Sequence, residues 1–163
     1  MIPSDHFVKF YNEVFKYLDR RGSGELEKYY QLVSQNQEFH CLELFRQKGI
    51  AGMYEYWEHI RIEENCDLKL SLQPGVFHCR MLHCPSLSKV TDNDAGACLK
   101  YCDHCPGWIL PLMTKAGFFA VYNIIDRTKA ECEFFVFENL EDAKQKLTEL
   151  RAAYPGDTVR VNF

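Results

Sequence analysis

Apolar residues in the first 65 positions recur with the period of an α-helix. They fall three or four positions apart from Phe7 to Leu18, and the same spacing returns in residues 25–48 and 50–64. Because an α-helix turns once in about 3.6 residues, this spacing places the apolar side chains on one face of each segment. The region therefore predicts amphipathic helices that pack against a core.

Small and polar residues mark the expected ends of these helices. Ser4 is expected to cap the first helix, because its hydroxyl can accept a backbone N–H. Gly22 and Gly49 are expected to end the first and second segments, since glycine readily adopts the left-handed conformation that closes a helix. The polar run at residues 35–37 predicts a further break inside the second segment.

The pattern changes from helical to alternating at Asp67. Alternation of apolar and polar residues is typical of strands with one buried face. Five strands are expected, at residues 67–72, 76–83, 118–125, 131–138 and 158–163. The turn sequences QPG and DRTKA join the first four strands into two hairpins.

Two more helices are expected around the second hairpin. One covers residues 108–116, where Pro111 is tolerable only near the first turn. Residues 86–97, which are mostly small and polar, predict a loop before that helix. The other helix follows Asn139, whose side chain can cap it.

The order of these elements predicts an α+β fold, in which N-terminal helices pack with a mainly antiparallel sheet of about five strands. The length fits one domain that covers residues 1–163. Its helical part is residues 1–65, and its cysteine-rich α+β part is residues 66–163.

Charge and hydropathy indicate which classes of binding partner are expected. The formal net charge is −4 and no run of lysine and arginine occurs, so nucleic acid is not an expected partner. The longest mostly apolar stretch, residues 116–125, is too short to cross a membrane. The N-terminus has no signal-peptide pattern, which predicts a cytoplasmic protein. A small molecule is the expected partner, and a homodimer is retained as a candidate assembly.

The eight cysteines carry the main chemical signal. In a reducing compartment, clustered cysteines are more often ligands or catalysts than disulfides. Cys102 and Cys105 enclose two residues, like the tight turns that supply two ligands to tetrahedral zinc. Cys84 ends one predicted strand and Cys132 begins another, so one sheet could bring both to this turn. These four cysteines predict a zinc site.

Other interpretations of the cluster stay open. Cys98 is the first substitute ligand and Cys79 the second. Four thiolates hold iron as readily as zinc, so an iron–sulfur cluster is an alternative cofactor. A Cys-x-x-Cys pair before a helix is also similar to a thioredoxin-type redox site. The thiols could instead be small buried residues, which is the preferred interpretation of Cys41 and Cys66.

Five short strings also resemble known families. They are YWEHI, HCPS, YCDHC, AGFFAVYNI and CEFFVF, in this order from about Trp57 to Phe137. The layout resembles that of 2-amino-thiazoline-4-carboxylic acid hydrolase-like proteins and, more distantly, that of ligand-binding domains named after 4-vinyl reductase. The second resemblance implies zinc binding by Cys84, Cys102 and Cys132. Cys105 stands where the hydrolase-like proteins carry an acidic residue, so ring-opening activity is not carried over.

The favoured function is a zinc–thiolate domain that binds or senses a small molecule. Its pocket is expected to be walled by the aromatic residues Tyr54, Trp57, Trp108 and Phe118. Four thiolates leave zinc no open coordination position, so the metal is expected to be structural or sensing rather than catalytic.

A hydrolase is the alternative function. Cys102 or Cys105 would attack the C=N or C=O carbon of a small cyclic amidine or amide, the substrate class that the first resemblance implies. His104, or else His83, would carry the proton, and Asp103 would orient the imidazole. A small iron–sulfur electron carrier is the third function considered.

Overall fold

The structure, a computed structural model, describes residues 3–22, 24–92 and 96–163. Within these ranges the helices are α1 (Pro3–Arg21), α2 (Glu25–Glu63), α3 (Pro85–Thr91), α4 (His104–Ala116) and α5 (Leu140–Ala153). The strands are β1 (Asp67–Gln73), β2 (Val76–His83), β3 (Phe119–Asp126), β4 (Glu131–Phe137) and β5 (Val159–Val161). A short 3-10 helix, Tyr101–Asp103, leads directly into α4.

The five strands form one sheet in the order β1-β2-β4-β3-β5, and every neighbouring pair is antiparallel. The second hairpin, β3–β4, thus adds to the first through β4, and β5 returns to the far edge beside β3. The predicted α+β class, with N-terminal helices and an antiparallel sheet of about five strands, is confirmed.

Helices α2 and α4 cover one face of the sheet. Phe45 and Met53 of α2 and Met113 of α4 have no exposed surface, and they belong to one apolar cluster with Phe77 and Phe134 of the sheet. The alternation predicted for the strands has placed these phenylalanines on the same face. Burial of large side chains on this scale is the main stabilising contribution of the fold.

Helix α5 covers the other face. Ala143 and Leu150 of α5 pack against Val121 and Phe137 of the sheet. The predicted cap is confirmed, because the side chain of Asn139 accepts the backbone N–H of the second residue of the helix at 2.7 Å. This bond satisfies one of the N–H groups that lack a partner at a helix start.

Helix α1 packs mainly through two buried side chains. Phe15 is 1% exposed and meets the ring of Tyr30 edge-on at 5.4 Å. The fully buried Asn12 donates to the carbonyl of Gly96 at 2.9 Å and accepts the N–H of Cys98 at 2.8 Å. Asn12 therefore joins α1 to the segment that leads into the 3-10 helix.

The helix boundaries differ from the predictions in two places near the N-terminus. Helix α2 continues through residues 35–37, so the break expected there is wrong; this run contains no glycine or proline, and polar residues alone do not interrupt a helix. Gly49 does interrupt it, with φ 60° and ψ −141°. Helix α1 begins at Pro3, and the side chain of Ser4, the expected cap, lies outside the described residues.

Two further boundaries differ beside the cysteines. Part of the loop expected at residues 86–97 is the helix α3, which has Pro85 in its first turn and Cys84 as its N-cap; residues 93–95 lie outside the described residues. Helix α4 begins at His104 instead of residue 108, because the 3-10 turn runs into it, and Pro111 lies in its interior. In the described part of the chain, no helix combines the length and apolar character needed to cross a membrane.

Candidate metal and ligand site

The end of β2 and the start of β4 lie side by side, which brings two cysteines distant in sequence to one end of the sheet. Met81 pairs with Cys132 in the β2–β4 ladder, and the N–H of Cys84 donates to the carbonyl of Ala130 at 2.9 Å. Antiparallel pairing produces this meeting, since the last residues of one strand face the first residues of the other.

Cys102 and Cys105 reach the same end of the sheet from the start of α4. Cys102 lies in the 3-10 helix and Cys105 in the first turn of α4. Between them, Asp103 accepts hydrogen bonds from Arg127 at 3.0 Å and from Arg160 of β5 at 3.5 Å. Arg127 belongs to the turn that joins β3 and β4, so these ion pairs hold the cysteine turn against the sheet.

Cys84, Cys102, Cys105 and Cys132 line one cavity of about 20 Å³, which we call the thiol cavity. Tyr122 of β3 forms part of the same wall. A cavity of this volume has room for one water-sized group. The structure thus brings together all four cysteines of the predicted zinc site.

The other four cysteines do not line the thiol cavity. Cys79 is 3% exposed and packs in the core under the sheet, and Cys98 packs beside α1. Neither of the two substitute ligands is therefore in position. Cys41 is buried, as predicted, whereas Cys66 is partly exposed.

Hydrogen-bond donors or a positive charge lie beside the sulfurs of Cys84, Cys102 and Cys132. The hydroxyl of Tyr122 donates to Cys132 Sγ at 3.1 Å. A backbone N–H in the first turn of α3 donates to Cys84 Sγ at 3.4 Å, and the positive charge of Arg127 favours the thiolate form of Cys102. Donors of this kind stabilise a thiolate more than a neutral thiol, because the charged acceptor makes the stronger bond.

Burial nevertheless keeps these thiols neutral near pH 7. It raises the pKa of Cys102 to about 11 and that of Cys132 to about 12. It also holds the pKa of Cys105 well above the ordinary thiol value, and the neighbouring sulfurs add to the effect. The sulfurs therefore become thiolates only when a cation binds among them or a base accepts their protons.

His104 is the base in contact with this cluster. Its Nδ1 is within hydrogen-bond distance of the carbonyl of Tyr101 and must carry the hydrogen, because a carbonyl only accepts. Burial lowers the pKa of His104 to about 4, so the ring is neutral and Nε2 has a lone pair. Nε2 lies 3.1 Å from Cys105 Sγ, so the thiol of Cys105 donates to it.

The residues predicted to transfer protons in a hydrolase do not make the contacts expected for that role. Asp103 is bound by two arginines, and the carbonyl of Tyr101 occupies the Nδ1 side of His104, where Asp103 was expected. Cys105, not Cys102, is the thiol in contact with His104. His83 instead lies 2.8 Å from a serine hydroxyl of α3 and lines neither cavity of the site.

A larger cavity of about 490 Å³ adjoins the thiol cavity, and we call it the ligand cavity. Residues of α1, α2, α4 and the start of α3 wall it. Four side chains line both cavities: Cys84, Tyr101, His104 and Cys105. The volume is in the range of small-molecule sites, and a molecule bound there would lie against the thiol cluster.

The expected aromatic wall is present in part. Trp57 and Trp108 line the ligand cavity, together with Cys41. Tyr54 instead packs edge-on against a core phenylalanine at 6.4 Å, and the ring of Phe118 lies beside the Gly49 kink. Both of these residues face parts of the molecule outside the ligand cavity.

Two tyrosines of the site, Tyr101 and Tyr122, are not predicted from the sequence. Their hydrophobic pattern does not distinguish them from ordinary core aromatics. For Tyr122 one signal exists, since its pairing with Phe134 places it diagonally across from Cys132 on the same face of the sheet. Using that signal requires the register of the β3–β4 hairpin.

The cluster fits zinc by ligand type but not by present side-chain position. Within residues 3–22, 24–92 and 96–163, no group of three or more His, Cys, Asp or Glu side chains is arranged to hold a metal ion. Thiols are ligands that zinc and iron prefer. Coordination would therefore require the cysteine side chains to rotate towards a common centre.

Comparison of the chain with protein-family models, with curated proteins and with solved structures finds no match. The resemblance to the hydrolase-like and 4-vinyl reductase families accordingly stays a prediction. The chemistry proposed for the site therefore follows from the residues of this chain alone.

Proposed function

We propose that this protein binds a small molecule in the ligand cavity and a zinc ion at the adjoining four-cysteine cluster, as a binding or sensing protein. The observation that carries the proposal is the wall common to the two cavities, to which Cys84 and Cys105 both belong. The proposal includes reduced thiols and therefore the cytoplasmic location predicted from the sequence.

The donors around the cluster support a bound cation. Hydrogen bonds to Cys84 and Cys132 are of the kind that orient metal-bound thiolates and disperse their negative charge, and the positive charge of Arg127 acts in the same direction on Cys102. Zinc held by four thiolates has no free coordination position. We therefore assign the metal a structural or sensing role, with Cys84, Cys102, Cys105 and Cys132 as its ligands.

Zinc binding must displace the protons of buried thiols. Because the pKa values of Cys102 and Cys132 are raised to about 11 and 12, both are protonated at neutral pH in the metal-free protein. Zinc affinity should therefore increase as pH rises through the neutral range, with protons released on binding.

A cobalt titration of the reduced protein tests the metal site, because thiolate-bound Co²⁺ absorbs strongly in the near ultraviolet. We expect one ion per chain, displaced by zinc, and a loss of at least tenfold in affinity in Cys132→Ser. Cys98→Ser is the matched control, since Cys98 is buried but lies outside the thiol cavity. A wild-type protein that binds neither ion, or equal losses in the two variants, would contradict the proposal.

An iron–sulfur cluster would use the same four thiols. Protein purified without oxygen distinguishes the two cofactors, because an iron–sulfur cluster gives a brown colour and a broad absorbance band in the visible range. Colourless protein that contains zinc supports the first assignment. Brown protein that contains iron and sulfide would replace zinc with an electron-carrier site.

A thiol hydrolase is a second candidate function, favoured by the contact between His104 and Cys105. His104 Nε2 would accept the thiol proton while the sulfur attacks the carbon of a small cyclic amide or amidine. The departing nitrogen would then take that proton, and water would release the acyl group from the sulfur. The raised pKa of Cys105 opposes this reaction in the free protein, which is why the candidate ranks second.

Alkylation by iodoacetamide, followed site by site by mass spectrometry, separates the two functions. A hydrolase should show Cys105 reacting fastest, and His104→Phe should slow that reaction. A metal site should show slow reaction at all four cluster thiols, which a chelator accelerates together. Cys66, which is partly exposed and lies outside the thiol cavity, gives an internal reference rate in both cases, although burial raises its pKa as well.

A further inference from the structure

Among the described residues, the wall of the ligand cavity has one side chain with a formal charge, and that charge is negative. Glu64 lines the cavity, whereas no lysine or arginine does so among the residues that the structure describes. His104 also lines it, but both of its ring nitrogens already have partners, the carbonyl of Tyr101 and the sulfur of Cys105. An anionic ligand would find no cationic partner in this wall.

The end of α2 strengthens this negative character. Glu64 is the C-cap of α2, and Ile60 of the last turn also lines the cavity. The C-terminal end of a helix carries partial negative charge, which favours a cation close to the last turn. The charge of Glu64 and the dipole of α2 therefore act in the same direction at one side of the cavity.

Aromatic side chains form much of the remaining wall. Tyr11, Tyr56, Trp57 and Trp108 line the cavity, from α1, α2 and α4. The faces of such rings bind flat apolar molecules and also attract cations, because their π electrons carry negative charge.

We infer that the ligand cavity takes a flat aromatic or heteroaromatic molecule with one positive charge, a protonated amine or amidine, and discriminates against carboxylates. The inference rests on the part of the proposed function that assigns a small molecule to this cavity, and it does not require the metal. A carboxylate placed here would lose its hydration without gaining an ion pair. This selectivity is opposite to the one that a carboxylic-acid substrate would require.

Three planar probes of equal size test the charge preference: 2-naphthamidine, 2-naphthamide and 2-naphthoate. Calorimetry measures their dissociation constants. Quenching of tryptophan emission locates the binding, because the chain has two tryptophans and both line the cavity. We expect the amidine to bind about tenfold or more tightly than the naphthoate, with the amide between them.

Glu64→Gln should weaken amidine binding by roughly threefold to fivefold and leave amide binding unchanged, as expected for a partly exposed ion pair. Glu63→Gln is the matched control, since Glu63 is the adjacent carboxylate, lies 3.2 Å from His59 and does not line the cavity. The control should bind all three probes like the wild type.

Three results would overturn the inference: naphthoate binding as tightly as the amidine, equal effects of the two substitutions, or no saturable binding of any probe. All titrations contain a chelator, so they are independent of the cluster. A protein that prefers the amidine but takes up no cobalt would retain this inference and lose the zinc site. A protein that takes up cobalt but shows no preference for the amidine would retain the zinc site and lose this inference.

Discussion

Replacing Gly107 with alanine should destabilise the protein, although alanine is the better helix former. Gly107 lies in α4 where this helix meets α2, and a Cβ built there would approach the Tyr30 side chain to between 2.5 and 2.9 Å. Tyr30 cannot readily move away, because it is 4% exposed, packs against Phe15 and donates a hydrogen bond to the carbonyl of Lys100. Glycine at this position permits the close approach of the two helices.

The size of the effect follows from two opposing contributions. Forcing extra atoms into a packed site costs about 1–3 kcal/mol, and contacts of 2.5–2.9 Å with a buried side chain correspond to the upper part of that range, about 2–3 kcal/mol. Replacing glycine with alanine within a helix stabilises the folded state by about 1 kcal/mol. We therefore expect a net loss of about 1–2 kcal/mol, which for a chain of 163 residues lowers Tm by roughly 2–8 °C.

Urea unfolding followed by circular dichroism measures this loss, and a second variant identifies its cause. Tyr30→Ala alone should cost about 3–5 kcal/mol, because it removes a buried ring. In that background Gly107→Ala should cost clearly less than in the wild type, because the contacts with the ring atoms are gone and only the contact with the Cβ of residue 30 at 2.9 Å remains. A Gly107→Ala protein as stable as the wild type, or an equal cost in both backgrounds, would refute the reasoning.

Three further substitutions test other contacts, each by urea unfolding. Asn12→Ala should lower the free energy of unfolding by about 1–3 kcal/mol and speed amide hydrogen exchange in α1 but not in the sheet. Unchanged exchange in α1 would contradict the two hydrogen bonds assigned to Asn12. Phe15→Ala should lower the free energy of unfolding by about 3–5 kcal/mol, because this ring is buried. Phe10→Ala, at a residue of the same helix that is 64% exposed, should change it by no more than about 0.5 kcal/mol. Similar losses in the two variants would contradict the burial of Phe15. Burial opposes ionisation of Glu133, but hydrogen bonds from His78 and a neighbouring asparagine outweigh it and lower the pKa below 4.5. The stability that wild type gains over Glu133→Gln should therefore be complete above pH 4.5 and disappear as pH falls below it; a gain independent of pH would exclude this origin.

The fold class was predictable because its main elements bury one face each. Residues such as Phe77 and Cys79 alternate with polar neighbours, and the strand period of two differs clearly from the helical period. Helix α3 was not predictable in the same way. It is seven residues long and begins at Pro85, and its cap is a sulfur atom, so neither its length nor its cap matches the usual helix signals.

The candidate site was predictable only in its residue types. Spacing singled out Cys102 and Cys105, but their meeting with Cys84 and Cys132 depends on β2 pairing with β4, and hydrophobic pattern does not encode strand order. The separation of Tyr54 from Trp57 has a related cause. Both lie on α2 only three residues apart, yet small differences of direction on a helix decide which one faces a cavity and which one the core.

The wall between the two cavities makes any two occupants thermodynamically linked. Four side chains belong to both cavities, so an ion on one side alters the groups that a molecule on the other side must touch. Linkage is reciprocal: the factor by which the ion changes the affinity of the molecule equals the factor by which the molecule changes the affinity of the ion. Under the proposed function, this linkage would let the concentration of an organic compound control the retention or release of the metal.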